Sequence, residues 1–284
     1  MILAAVGEFA VHRAGVTLAG ERAGEGIPVV LAHGLTATRR YVVMGSRALE
    51  RSGHDVVTYD ARGHGRSDPA PSPRDYDYVN LAADLEAVLD ELELERAVLV
   101  GSSMGAHTAL RVALDDPRRV IALALVTPGY DPATVDDPER LAHWDALAEG
   151  LANGGVDGFM AAYEGTAPPE PWRDTVLQAV RQRMGAHAHP DAVADALRVV
   201  PRSRPFAGWE DLGAIDAPAV VVASRDEADA EHPYALAERY AQAIPRGRVV
   251  SEQPGESPLA WQGGRLSKLI AELASTAARA GRAP

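Results

Sequence analysis

Five residues carry the first chemical signal in the chain. Gly101-Ser102-Ser103-Met104-Gly105 read G-x-S-x-G; they follow the apolar run Ala97-Val98-Leu99-Val100 and precede a helical pattern from about Ala106. In a strand-to-helix context this is a nucleophile elbow: the two glycines permit a tight bend, and the bend holds the Ser103 hydroxyl clear at the end of a sheet. Orphan N–H groups and the helix dipole favour negative charge at that helix N-terminus. A tetrahedral oxyanion, formed by attack of Ser103 on a carbonyl carbon, would therefore be stabilised where it forms. The Met104 N–H is one expected donor. The second is expected from the loop after the third strand, His33-Gly34-Leu35-Thr36, where Gly34 allows close backbone approach and the Leu35 N–H is the candidate. His33 reads as a brace of that loop. His107, one helical turn past Ser103, reads as a packed helix histidine. Arg39 and Arg40 either meet an anionic substrate at the cleft mouth or, more simply, start a helix in solvent.

The elements that must position these groups alternate along the chain. Apolar runs at Val29–Ala32, Asp55–Tyr59, Ala97–Val100, Val120–Val126 and Ala219–Val222 read as strands, and Gly247–Val250 as a last one. Between them lie amphipathic stretches, such as Leu81, Leu85, Val88, Leu89 and Leu92 at helical spacing with Asp84, Glu86, Asp90 and Glu91 on the other side. Near-continuous apolar strands alternating with helices imply a parallel sheet covered on both faces, an α/β, doubly wound architecture. Phe9–Arg13 and Val16–Leu18 read as an antiparallel hairpin turning at Ala14-Gly15. The rhythm breaks from 129 to 208, where helical patterns run without a buried strand and Pro and Gly cluster at the seams. This is expected to be a helical cap inserted in a core formed by 1–128 and 209–284. Its aromatics, Trp144, Phe159, Tyr163, Trp172 and Phe206, either line a substrate pocket or pack the insertion.

Bulk composition narrows the function. The 284 residues are 46% hydrophobic and 24% charged, ordinary for a globular chain, and the net charge is −12. Such a surface repels phosphate backbones, so nucleic acid is not an expected partner. With no cysteine, disulfides, thiolate zinc sites and a Cys nucleophile are excluded. The first residues are apolar but short, lack a basic lead and soon meet Glu8, His12 and Arg13, so a signal peptide is not expected. No apolar run approaches about 18 residues, so no membrane span is expected and the expected location is cytoplasmic. No phosphate-binding G-x-x-x-x-G-K-[ST], dinucleotide G-x-G-x-x-G or H-E-x-x-H pattern occurs, and neither a cofactor nor a metal is expected.

Taken in order, His33-Gly34, then Tyr59-Asp60-Ala61-Arg62-Gly63-His64-Gly65-Arg66-Ser67, then Gly101 to Gly105 resemble the α/β-hydrolase superfamily. The resemblance spans essentially the whole chain and implies the α/β-hydrolase fold, with the insertion where that family places its cap. Asp60, Arg62 and His64 read as structural turn residues. The family's acid follows the seventh strand, where Asp226 and Asp229 compete; Asp229, four residues before Pro233, fits the resemblance better. The family's histidine follows the eighth strand. Here that loop reads Gly255-Glu256-Ser257-Pro258, and the last histidine in the chain is His232.

Glu256 thus occupies the expected base position, and three readings follow. Glu256 replaces the imidazole beside Asp229, one carboxyl of the pair keeping its proton because of the like charge. Alternatively His232, or His143, His187 or His189 of the insertion, reaches Ser103. Or the site performs a lyase, isomerase or cyclase step, or only binds a small molecule. The preferred reading is a cofactor-free enzyme acting on an ester, lactone or thioester. In it Ser103 attacks, Met104 and Leu35 amides hold the oxyanion, and Asp229 and Glu256 serve as acid and base. Ser103 rather than Asp at the elbow argues against alkyl-halide or epoxide chemistry. Substrate identity and oligomeric state are not legible in the sequence.

Overall fold

A computed structural model describes residues 6–166, 170–225, 229 and 232–280. Its strands are β1 (Gly7–Arg13), β2 (Val16–Ala23), β3 (Ile27–Ala32), β4 (His54–Tyr59), β5 (Ala97–Ser102), β6 (Val120–Val126), β7 (Ala219–Val222) and β8 (Gly247–Val250). The helices are α1 (Ala48–Arg51), α2 (Tyr78–Glu91), α3 (Met104–Asp115), α4 (Pro138–Tyr163), α5 (Arg173–Met184), α6 (Pro190–Val199), α7 (Tyr234–Ala243) and α8 (Gly263–Ala280). The strands form one sheet in the order β1-β2-β4-β3-β5-β6-β7-β8. The pairs from β4 through β3, β5, β6, β7 to β8 are parallel, while β1–β2 and β2–β4 are antiparallel. The expected hairpin is present, and its turn residues Ala14 and Gly15 both take positive φ.

Strand periodicity sorts the core into two layers. Along β5, Ala97 and Leu99 pack on one face with α2, α3 and α7, while Val98 and Val100 pack on the other with α1 and α8. Both faces of the central strands are covered, so the runs read as continuously apolar rather than alternating. Asp77 caps α2 by accepting from the Asn80 N–H at 2.8 Å, and Leu85, Val88 and Leu89 turn into the core.

Helices α4, α5 and α6 lie between β6 and β7 and form a third apolar cluster with Leu35, Tyr78 and Met104, at the C-terminal edge of the sheet. Helix α4 breaks at Gly155 (φ 58°), so its second half turns back on the first. Gly150 and Gly158 then meet so closely that a Cβ on Gly158 would stand 2.1 Å from the Gly150 carbonyl oxygen.

The turn after β4 is held by buried charge. Arg62 donates two bonds of 2.7 Å to Asp84 on α2 and a third, of 2.9 Å, to the Asp75 carbonyl. Arg13 adds a bond to the same carboxylate at 3.2 Å. The Arg62 and Asp84 side chains are each 1% exposed. Asp60 accepts from the Arg39 amide and guanidinium and the Arg66 amide, and the Ser67 hydroxyl donates to the Asp60 carbonyl. These contacts give Asp60 and Arg62 the structural role expected from the sequence. Removing one partner of a fully buried, doubly bonded pair strands the other charge. Asp84→Ala is therefore expected to cost about 3–5 kcal/mol in urea unfolding; a loss below about 1 kcal/mol would contradict this account of the turn.

Candidate active site

Ser103 sits between β5 and α3 with φ 47° and ψ −111°, a strained conformation for a residue with a Cβ. Backbone packing enforces it. A Cβ on Gly101 would lie 2.1 Å from the Gly105 carbonyl carbon, and one on Gly105 would lie 2.1 Å from the Ala32 oxygen. Only glycines let α3 start so close to β5 and β3. The Ser103 amide donates to the Val126 carbonyl at 2.9 Å, and its own carbonyl accepts from Ala106 and His107. Its side chain, half-buried, borders two cavities, of about 140 Å³ and about 190 Å³.

The loop after β3 lies against the serine, and a Cβ on Gly34 would stand 3.6 Å from the Ser103 Cβ. The amides of Leu35 and Met104 have no acceptor among the described residues. His33 braces this loop, as expected. Its Nε2 accepts from the Ala61 amide at 2.9 Å, so the hydrogen resides on Nδ1, which donates to the Gly34 carbonyl at 2.8 Å. His64 is set between the carbonyls of Arg62 and Leu35, 2.8 Å from each. His187 packs on the same loop rather than near Ser103, accepting from the Gly65 amide at 3.0 Å. His107 is the packed helix histidine expected: its Nε2 accepts from the Gly129 and Tyr130 amides, each at 3.1 Å, and Nδ1 therefore donates to the Tyr78 hydroxyl at 2.9 Å.

The base position is where sequence and structure part. Glu256 is an exposed side chain that accepts from the Gln253 amide and the Arg265 guanidinium, each at 3.0 Å, and it borders neither cavity. Its carboxyl is held below its usual range by the Gln253 amide and the Arg265 contact. It is not placed to serve Ser103, and the expectation of a Glu256 base is corrected. His232 stands there instead: Nε2 is 3.0 Å from Ser103 Oγ and Nδ1 is 2.8 Å from Asp229 Oδ1. A carboxylate only accepts, so the hydrogen is on Nδ1 and Nε2 is left to take the serine proton. Asp229 thus lies beside His232, while the competing Asp226 lies outside the described residues. His143 borders the second cavity, and His189 precedes α6. Neither contacts Ser103.

A buried glutamate that the sequence reading missed supports the loop carrying these two groups. Glu252, 2% exposed and just past β8, accepts from the Arg225 amide at 2.6 Å and the Leu259 amide at 3.1 Å. It ties the loop after β7 to the loop after β8. Its only sequence signal is a charged residue two positions after a strand.

Trp144, Phe159 and Tyr163 border the first cavity, whereas Phe206 packs in the core with Tyr130, Trp209 and Tyr240, and Trp172 stacks edge-on against Trp261. Arg39 is engaged by Glu21 and Asp60 on another surface. Among the described residues no cluster of His, Cys, Asp or Glu could hold a metal, and no helix is long and apolar enough to cross a membrane.

A model of the alpha/beta hydrolase fold family matches residues 27–186, more than half of the chain. The chain belongs to the alpha/beta hydrolase family. Among its relatives, the "Putative carbamate hydrolase RutD" of Variovorax paradoxus (strain S110) is 32% identical over 225 residues, covering 78% of this chain and 80% of that protein. The 2-hydroxy-6-oxononadienedioate/2-hydroxy-6-oxononatrienedioate hydrolase 2 of Pseudomonas putida is 32% identical over 213 residues, covering 72% and 73%. The solved structure of Est816, described as an N-acyl homoserine lactone degrading enzyme, matches with a TM-score of 0.72 at 28% identity, over 94% of this chain and 99% of that one. A thermophilic esterase from Thermogutta terrifontis shares the fold, with a TM-score of 0.77 at 24% identity, over 95% and 99%.

The histidines that brace this alpha/beta hydrolase make its stability pH-dependent. Burial lowers His33 to about 4 and His107 to about 3, against roughly 6.5 in an unfolded chain. Between those values the unfolded chain binds more protons than the folded one, so stability complete above about pH 6.5 is lost as pH falls toward 3–4. The urea midpoint is expected to be lower at pH 4.5 than at 7.5, and His107→Gln is expected to flatten that fall. A wild-type midpoint that does not move would refute this.

Proposed function

We propose that the chain is a serine hydrolase of small carbonyl compounds — esters, lactones or thioesters — working through Ser103, His232 and Asp229, with residues 129–208 acting as a cap over the site. The observation that carries the reading is the pair of contacts running from Ser103 Oγ through His232 to Asp229. Acid and base lie three residues apart in one loop, so the order Ser, Asp, His is completed after β7 rather than after β8. The relatives' descriptions, a putative carbamate hydrolase, an N-acyl homoserine lactone degrading enzyme and a hydroxy-oxo-dioate hydrolase, fit a reaction at a carbonyl. The non-hydrolytic and binding-only readings rested on a missing base, the role this reading gives to His232.

The steps follow from the geometry. His232 Nε2 takes the Ser103 hydroxyl proton as Oγ bonds to the carbonyl carbon, and the carbonyl π electrons move to oxygen. The amide hydrogens of Met104 and Leu35 stabilise that oxyanion in a site partly shielded from water. When the tetrahedral species collapses, the leaving oxygen or sulfur departs with the proton from His232. Asp229 holds the imidazole tautomer and stabilises the imidazolium without taking the proton. Water, deprotonated by the same Nε2, then cleaves the acyl-serine and restores the hydroxyl.

Turnover of short 4-nitrophenyl esters and of an acyl lactone tests this. Ser103→Ala and His232→Gln are each expected to lower kcat/KM by at least about 10³-fold, and Asp229→Asn by about 10³–10⁴-fold. Glu256→Ala is expected to stay within about twofold, as for an exposed surface substitution. Loss of activity in Glu256→Ala with His232→Gln intact would overturn the assignment, and so would a fluorophosphonate that leaves Ser103 unlabelled. Glu252→Ala is expected to lower kcat about tenfold or more by loosening the loop, as misplacement of about 1 Å can cost 10²-fold. An unaltered kcat would show that the brace does not position His232.

A further inference from the structure

The second cavity, which Ser103 and His232 border, is also lined by Leu35, Trp144, Tyr78 and Arg140. Arg140 is on the first turn of α4, and among the described residues its guanidinium donates only to neutral carbonyls: Val135 at 3.1 Å and Pro201 at 3.1 Å from both terminal nitrogens. Among the described residues no carboxylate lies within ion-pair distance of it. Asp137 acts on it from further off, and Asp137 Oδ1 is engaged by the Glu139 and Arg140 amides. Burial outweighs that attraction and pulls the guanidinium below its ordinary value. An arginine partly withdrawn from water without an opposite charge is costly to keep, and an incoming anion would offset that cost.

A second donor stands in the same cavity. His107 Nε2 accepts from two backbone amides, so its one ring hydrogen is on Nδ1 and is given to the Tyr78 oxygen. The Tyr78 hydroxyl hydrogen is thereby left without an acceptor among the described residues, on a side chain only 4% exposed. Burial raises the Tyr78 pKa, so the hydrogen stays in place. The cavity thus offers a cation and a neutral donor beside the serine, in a chain whose net charge of −12 would otherwise repel anions.

We propose that the cavity lined by Arg140 and Tyr78 is a subsite for a carboxylate carried by the substrate, Arg140 supplying the charge and Tyr78 a hydrogen bond. This deepens the hydrolase reading and rests on it: the preferred substrate class becomes a monoanionic ester or lactone, with its carboxylate a short spacer from the scissile carbonyl.

Two matched pairs of esters test the subsite. One pair places the charge on the acyl side: mono-4-nitrophenyl glutarate against its methyl ester. The other places it on the alcohol side: 4-acetoxybenzoate against its methyl ester. The native enzyme is expected to favour the anionic member of one pair by tenfold or more in kcat/KM. Arg140→Gln is expected to reduce that ratio at least tenfold, Arg140→Lys to retain most of it, and Tyr78→Phe to reduce it about threefold. Because Arg140 also ties α4 to Pro201, the Lys and Phe variants decide the matter if the Gln variant does not fold. A ratio untouched by these variants, or a native preference for the neutral member of both pairs, overturns the subsite. Calorimetric binding of phenylacetate and phenylacetamide to the Ser103→Ala protein separates the two readings. Tighter binding of the carboxylate, weakened by Arg140→Gln, upholds the subsite even if no ester is cleaved. Equal binding overturns it even if neutral esters are cleaved.

Discussion

The site depends on one close approach, that of Gly105 at the start of α3 to the end of β3. No side chain fits there, since a Cβ at Gly105 would overlap the Ala32 carbonyl. The contact wedges the helix N-terminus against two adjacent parallel strands, and three consequences follow. Ser103 is forced to positive φ, which costs about 1–3 kcal/mol and must be offset by the surrounding packing. The Met104 amide, first in α3, is left without an acceptor among the described residues. The loop beginning at His33 has nowhere to run except across the serine, which brings Gly34 and Leu35 to it.

The strain is supported by a polar scaffold one layer below. His33 joins the loop after β3 to the turn after β4, and His64 joins that turn back to the carbonyl of Leu35. Arg62 and Asp84 anchor the turn to α2. On the other side of the serine, His107 fixes the loop after β6 through two amides, and Glu252 fixes the loops after β7 and β8. Hydrogen bonds from these buried side chains to backbone groups of separate loops let a rigid framework be built from loops. Burial holds His33 and His107 well below the usual imidazole range. That leaves His232, itself half-buried, as the imidazole that meets Ser103.

The legible and illegible parts of the site differ in how far apart their partners lie. Ser103, Met104 and Leu35 were readable because short-range rules place them: a glycine-flanked turn, a helix N-terminus, a glycine after a strand. The roles of His33 and His107 followed from their being next to those elements. His232 was named among several candidates but not preferred, because the expected site for an imidazole was the loop after β8. The choice between Glu256 and His232 is made by which side chain reaches Ser103, 129 residues from His232 in sequence, and no local pattern encodes that separation. Glu252 went unseen for the same reason: its two partners belong to separate loops.

The order of apolar runs and the G-x-S-x-G turn were sufficient, by themselves, to determine a parallel sheet covered on both faces and a serine at the turn that ends one of its strands. Those properties arise from periodicity and backbone sterics, which act over a few residues. Which histidine meets that serine, which aromatics border its cavities, and that Arg140 lies there with no ion-paired carboxylate among the described residues were decided only when the loops after β6, β7 and β8 and the segment between β6 and β7 came together. Those outcomes depend on distances between residues remote in the chain, and such distances exist only in the folded molecule.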